Sequence, residues 1–295
     1  MGVAAYLWGV ALLVAILQIC PSIAGGEAIP PSQVVVRTKA YQPQETNFPR
    51  GSYEYLVSWE GIPVGSASIH VGTTYRDKKK MLNVVATARS GGVVALFYRL
   101  RHRSESIFSA QELRPVEFVS QQIENTRFTN LKIDFSPDGL IKSEIRKGRP
   151  NRKEEVTEVS FKSENRTFDP ISAAFLARSL PVNPTEALSF DVFNGEDRYL
   201  ISLHVVGREK IRVAGEEYDA FKVEPSVKKL TDTERDKRLR KAYLWVSTDG
   251  RREVLKLESE VFIGSVNATL VRFVPNGVPA ADIDRAPTEQ PSQNE

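Results

Sequence analysis

The side chains that could carry out nucleophilic, acid–base or metal chemistry are few in this chain, and their spacing does not gather them. It has three histidines, His70, His102 and His204, and one cysteine, Cys20. His70 and His204 alternate with apolar neighbours, as residues on the outer face of a strand do. His102, between Arg101 and Arg103, reads as a polar residue at a strand start. Three histidines so far apart do not suggest a metal site, and neither a metal nor a cofactor is expected. There is no Gly-x-Ser-x-Gly elbow, no His-Glu-x-x-His and no glycine-rich phosphate loop. Carboxylates are abundant, but no pair stands out for glycoside chemistry. No catalytic, cofactor-binding or metal-binding residue is therefore expected.

What remains is arginine, lysine and aromatic chemistry. Two basic clusters occur, Arg146 to Lys153 and Lys228-Lys229 with Arg235, Lys237, Arg238, Arg240 and Lys241. They read either as a surface for anionic lipid headgroups or as solvated hairpin loops diluted by Glu154, Glu155, Asp232, Glu234 and Asp236. A formal charge of +3 gives no case for nucleic acid. Tyr53, Tyr55, Trp59, Phe97, Tyr98, Phe118, Phe128 and Trp245 either line an apolar groove or form ordinary sheet core.

The elements that must position these residues are mostly strands. Tyr53, Tyr55, Val57 and Trp59 alternate with polar residues, and Glu60-Gly61 turns the chain back toward Ala67, Ile69 and Val71. Ser136-Pro137-Asp138-Gly139, Asn194-Gly195, Ala214-Gly215 and Asp249-Gly250 mark further reversals. Such repeated units predict an all-β, mainly antiparallel fold: a large, strongly curved sheet or an open, partly closed β-barrel with one short helix. The helix begins at Asp169-Pro170, a cap followed by proline at the first helical position. Ile171, Ala174, Phe175 and Leu176 make a stripe that is expected to lie over one face or end of the sheet, and Pro181 ends it. Residues 92–100 fit a helix or a strand equally.

Residues 2–20 carry no charge, and Ser22-Ile23-Ala24 follows, which reads as a secretory signal over 1–24 cleaved after Ala24. The alternatives are an uncleaved anchor, since no basic residue precedes Arg37, and a lipoprotein attached at Cys20. Cleavage removes the only thiol, so disulfides and cysteine nucleophiles leave with the signal. Residues 25–49 read as an extended linker, 50–274 as the β domain and 275–295 as a disordered tail.

Four segments together resemble the bacterial family of exported proteins called DUF3108. They are Phe168-Asp169-Pro170-Ile171-Ser172-Ala173, the run from Ala214 to Pro225, the run from Trp245 to Arg252, and the run from Ile263 to Leu270. Val254 departs from the proline frequent there in the family. The resemblance implies a β-rich exported domain with no established activity to carry over. It leaves Arg251 and Arg252 as recurrent charges without an evident architectural role, and hence as candidates for a ligand or partner contact.

Export, curvature and the missing catalytic sets point to a non-enzymatic envelope protein, periplasmic or otherwise exported. Its expected partner is a lipid or other amphiphile, or another envelope protein. Membrane contact is expected only through the N-terminal segment where it stays uncleaved. The alternatives are a hydrolase acting on an envelope polymer and a purely structural interaction module.

Overall fold

The computed structural model describes residues 29–34, 36, 38–43, 48–231, 241–261 and 264–277. The expected signal, most of the expected tail and the basic residues Arg235, Lys237, Arg238 and Arg240 lie outside the described residues. Within them a single sheet contains β1 Gly51–Trp59, β2 Ile62–Arg76, β3 Lys79–Ser90, β4 Leu100–Ser109, β5 Pro115–Glu124, β6 Arg127–Phe135, β7 Leu140–Gly148, β8 Glu155–Lys162, β9 Thr167–Phe168, β10 Leu188–Phe193, β11 Arg198–Val213, β12 Glu216–Lys229, β13 Ala242–Ser247, β14 Val254–Glu260 and β15 Ser265–Pro275. One helix, α1, spans Pro170–Ser179.

The spatial order runs β8 to β1, then β15 to β9. Neighbours in sequence are therefore neighbours in space, as short turns require. The single long-range join pairs β1 with β15 from Gly51↔Pro275 to Trp59↔Val266. All pairings are antiparallel except β9 with β10. The sheet is not closed by hydrogen bonds, and β8 and β9 are its edges. Side chains close much of that gap. Ser143 Oγ donates to the Gly195 carbonyl at 2.6 Å, and Lys147 pairs with Glu196. Phe161 packs edge-on to Phe193 at 5.0 Å between ring centres. Gly195 (φ +106°) is required there: a Cβ would lie 2.4 Å from Leu131 Cδ1.

The expected linker also takes part. Arg198 Nη1 donates to the carbonyls of Pro31 and Val34 at 3.0 and 2.8 Å. Asn165 bonds the Val36 carbonyl, Arg166 that of Tyr41, and the Tyr41 hydroxyl accepts from Ser189 N. Residues 29–34, 36 and 38–41 thus lie as a strap along the open seam, which blunts two otherwise unpaired edges.

The helix lies, as expected, against one face of the sheet, and that face is the concave one. Ile171, Ser172, Ala173, Phe175, Leu176 and Ser179 are all buried, so the apolar contact goes nearly round it. Phe175 meets Phe48 and Phe108, and the main core joins residues from every part of the sheet around α1. A strongly curled sheet leaves an interior that flat packing would not, and α1 fills it. Residues 92–100 resolve as a 3-10 turn, Gly92–Leu96, leading into β4.

Candidate functional site

Alternate residues of β4 point inward, and they are unusually polar: His102, Ser104 and Ser106 are all buried. His102 is the polar residue near a strand start that the sequence indicates, and at 2% exposed it faces the interior. Its Nε2 lies 2.7 Å from Ser104 Oγ, which in turn donates to Ser120 Oγ on β5 at 3.2 Å. A histidine beside a serine is the beginning of a nucleophile–base pair. Here both side chains are closed off from the surface, and burial lowers the His102 pKa to about 4, which makes it a weak base.

Ser106 Oγ donates to Asp169 Oδ2 at 2.8 Å, while Asp169 Oδ1 accepts from Ile171 N and Ser172 N. Asp169 is therefore the helix cap that the sequence indicates, and it also ties α1 to β4. Burial raises its pKa, against the hydrogen bonds from Ser172, Ser106 and Ile171. His70 is half-buried, with Nδ1 3.1 Å from Ser52 Oγ, and His204 is exposed on β11. Among the described residues, no three His, Cys, Asp or Glu side chains converge as metal ligands do.

Between α1 and the sheet lies an apolar cavity of about 90 Å³. Tyr55, Ile69, Ala86, Ala174, Leu244 and Leu257 contribute to its wall, with Arg178 as the one charged group. Of the eight aromatics considered above, only Tyr55 lines it. Tyr53, Tyr98, Phe118 and Trp245 are buried core, and Phe97 is 82% exposed. The Trp245 indole donates to Glu209, with Lys222 and Lys256 over its ring.

Arg178, on the last turn of α1, stands over the rings of Phe48 and Phe175, each centred 4.9 Å away. Its Nε donates to the Arg252 carbonyl at 2.7 Å, and its Nη2 to the Arg251 carbonyl at 3.1 Å. Burial lowers its pKa, and Tyr53, Tyr55 and Glu253 act in the opposite sense. Burial likewise pushes the Tyr53 phenol up to about 12.

The architectural role missing for Arg251 and Arg252 is now visible. Their carbonyls dock the helix end. The Arg251 side chain holds Asp249 at 2.9 Å and Glu253 at 3.5 Å, and the Arg252 guanidinium lies 5.2 Å from the centre of the Phe221 ring. Arg178 is the residue that sequence reasoning missed. A basic residue one position before the helix end looks like ordinary dipole compensation, and nothing in the spacing reveals the turn it reaches.

The family model described as a protein of unknown function, DUF3108, matches residues 54–271. The chain belongs to the DUF3108 family. That match covers nearly the whole DUF3108 sheet, including α1 and the Arg178 turn, and no curated protein matches the sequence. Among solved structures, DUF3108 here is similar to a beta-barrel-like protein of the DUF1849 domain from Brucella abortus. The identity is 8%, the TM-score 0.48, and the match covers 77% of this chain and 98% of that one. It is also similar to a candidate lipoprotein from Parabacteroides distasonis, at 9% identity and a TM-score of 0.35, covering 80% and 100% of the two chains.

Proposed function

We propose that this DUF3108 protein is a non-catalytic, exported component of the cell envelope that holds the apolar end of an amphiphile between α1 and the sheet. The carrying observation is the cavity: apolar walls with one cation, Arg178, at their edge. That composition suits an alkyl group with a polar or anionic head nearby. It offers nothing to a polymer hydrolase, which needs two carboxyls facing a cleft. The uncharged run over residues 2–20 supports export, and a periplasmic location follows from cleavage after Ala24.

The volume sets a limit. About 90 Å³ is less than the roughly 150 Å³ of an engineered apolar cavity that admits benzene. The site as it stands takes the tip of a chain; a longer one requires α1 to move. Native mass spectrometry of the protein purified from its own cells should show a bound amphiphile, and delipidated protein should take up added fatty acid. An A174F variant, which fills the cavity from α1, should lose that uptake while keeping its fold. An empty chain that takes up no added lipid would sink the proposal.

A further inference from the structure

The antiparallel order sends the β1–β2, β3–β4, β5–β6 and β7–β8 connections to one rim of the sheet, opposite the β13–β14 turn that holds Arg178. On that rim the β3–β4 connection is a firmly built tip. Phe97 N and Tyr98 N both donate to the Val94 carbonyl, at 3.1 and 2.8 Å, and Gly91 N donates to the Val64 carbonyl at 2.8 Å. Buried Tyr98 and Leu100 anchor its return, and Arg99 N bonds Asn125 Oδ1 at 3.0 Å. Although the backbone is fixed, Val93, Leu96 and Phe97 are 70%, 75% and 82% exposed. Exposed Ile62 adjoins Pro63, whose carbonyl lies beside Gly92.

Large apolar side chains held in water by a hydrogen-bonded turn do nothing for the core, and such a feature marks an interaction surface. The surrounding charge says which kind. No carboxylate occurs between Asp77 and Glu105, a stretch that includes Arg89 and Arg99. Both arginines are exposed, as is Arg127 on the adjoining β5–β6 turn. Glu124 stands opposite Arg127 in the β5–β6 pair, and Glu60 is engaged by Ser265 N. Arg152 and Lys153 are exposed on the same rim, with exposed Glu154 and Glu155 beside them, so the basic side chains that count lie at the tip itself. A convex tip of three side chains is too small for a stable protein interface, which needs about 800 Å² from each partner. It has the form of an interfacial membrane contact, apolar at the point and basic around it.

We propose that this tip docks the protein on an anionic lipid surface, with Leu96 and Phe97 entering the acyl boundary and Arg89, Arg99 and Arg127 at the level of the phosphates. This contact is independent of the N-terminal run and of the cavity. The test uses the full chain as purified from its cells, with an F97W variant and vesicles of phosphatidylglycerol and phosphatidylcholine carrying brominated acyl chains. The F97W indole should shift to the blue and be quenched, beyond any change in the unmodified protein. An L96D/F97D variant, altered only at exposed positions, should keep its thermal melt yet lose roughly tenfold or more in vesicle affinity. An unquenched F97W indole, undiminished binding by L96D/F97D, or equal binding to phosphatidylcholine alone would each overturn the proposal. Self-association abolished by L96D/F97D without quenching would overturn it too, and would assign the tip to a second copy.

Discussion

Single residues decide how this fold tolerates acid. His102 is neutral in the folded protein because burial lowers its pKa from 6.5 to about 4. Between those values the unfolded chain takes up a proton that the folded one refuses. Stability therefore falls as the pH drops through that window and is flat above it, by up to roughly 3 kcal/mol. His70, also lowered by burial, adds in the same direction. Asp169, raised by burial, acts the other way, since its protonated form is the one favoured in the fold. Thermal melts at pH 7.5 and 4.5 should differ by several degrees, and an H102Q variant should narrow that difference. If H102Q leaves the acid shift unchanged, the group responsible lies elsewhere.

At the scale of elements, a buried ion pair on the β9–β11 side of the seam holds the strap in place. Arg198 Nε donates to Asp191 Oδ1 at 3.3 Å, Asp191 Oδ2 accepts from Thr167 Oγ1 at 2.7 Å, and the same arginine grips the strap. Both charged side chains are almost wholly buried. Removing one strands the other, so R198A should cost about 3–5 kcal/mol. It should also speed amide exchange over residues 29–34. An R198M/D191L double variant should recover much of the stability but not the strap protection, because the carbonyls of Pro31 and Val34 still lose their donor. The strands were legible in the sequence because a half-buried strand has period two, as in Tyr53, Tyr55 and Val57. The cap at Asp169 was legible because capping is local. The strap was not. Residues 25–49 have a linker's composition, and what holds Pro31, Val34, Val36 and Tyr41 is a set of bonds to Arg198, Asn165, Arg166 and Ser189, more than 120 positions away. Arg178 and the polar interior of β4 were hidden for the same reason.

For the whole molecule, the position of α1 determines whether the sheet and helix are one unit or two. A helix laid on a flat, open sheet could detach and leave the sheet intact. A helix inside the curl cannot, because the same side chains pack against both arms. Leu176 is 1% exposed and belongs to the core that also contains Phe108 of β4, Phe193 of β10 and Leu270 of β15. L176A should therefore cost about 2–5 kcal/mol, the range for cavities opened in well-packed cores. The loss should reach the entire chain: near-ultraviolet and far-ultraviolet circular dichroism melts should shift together and stay superimposed. A near-ultraviolet transition that moves alone would mean that α1 behaves as a detachable plug. The volume limit on the cavity ties this to ligand binding. If α1 cannot leave without unfolding the sheet, a long acyl chain can enter only by a small shift of α1. A bound amphiphile should then raise the melting temperature of the whole protein and not of the helix alone.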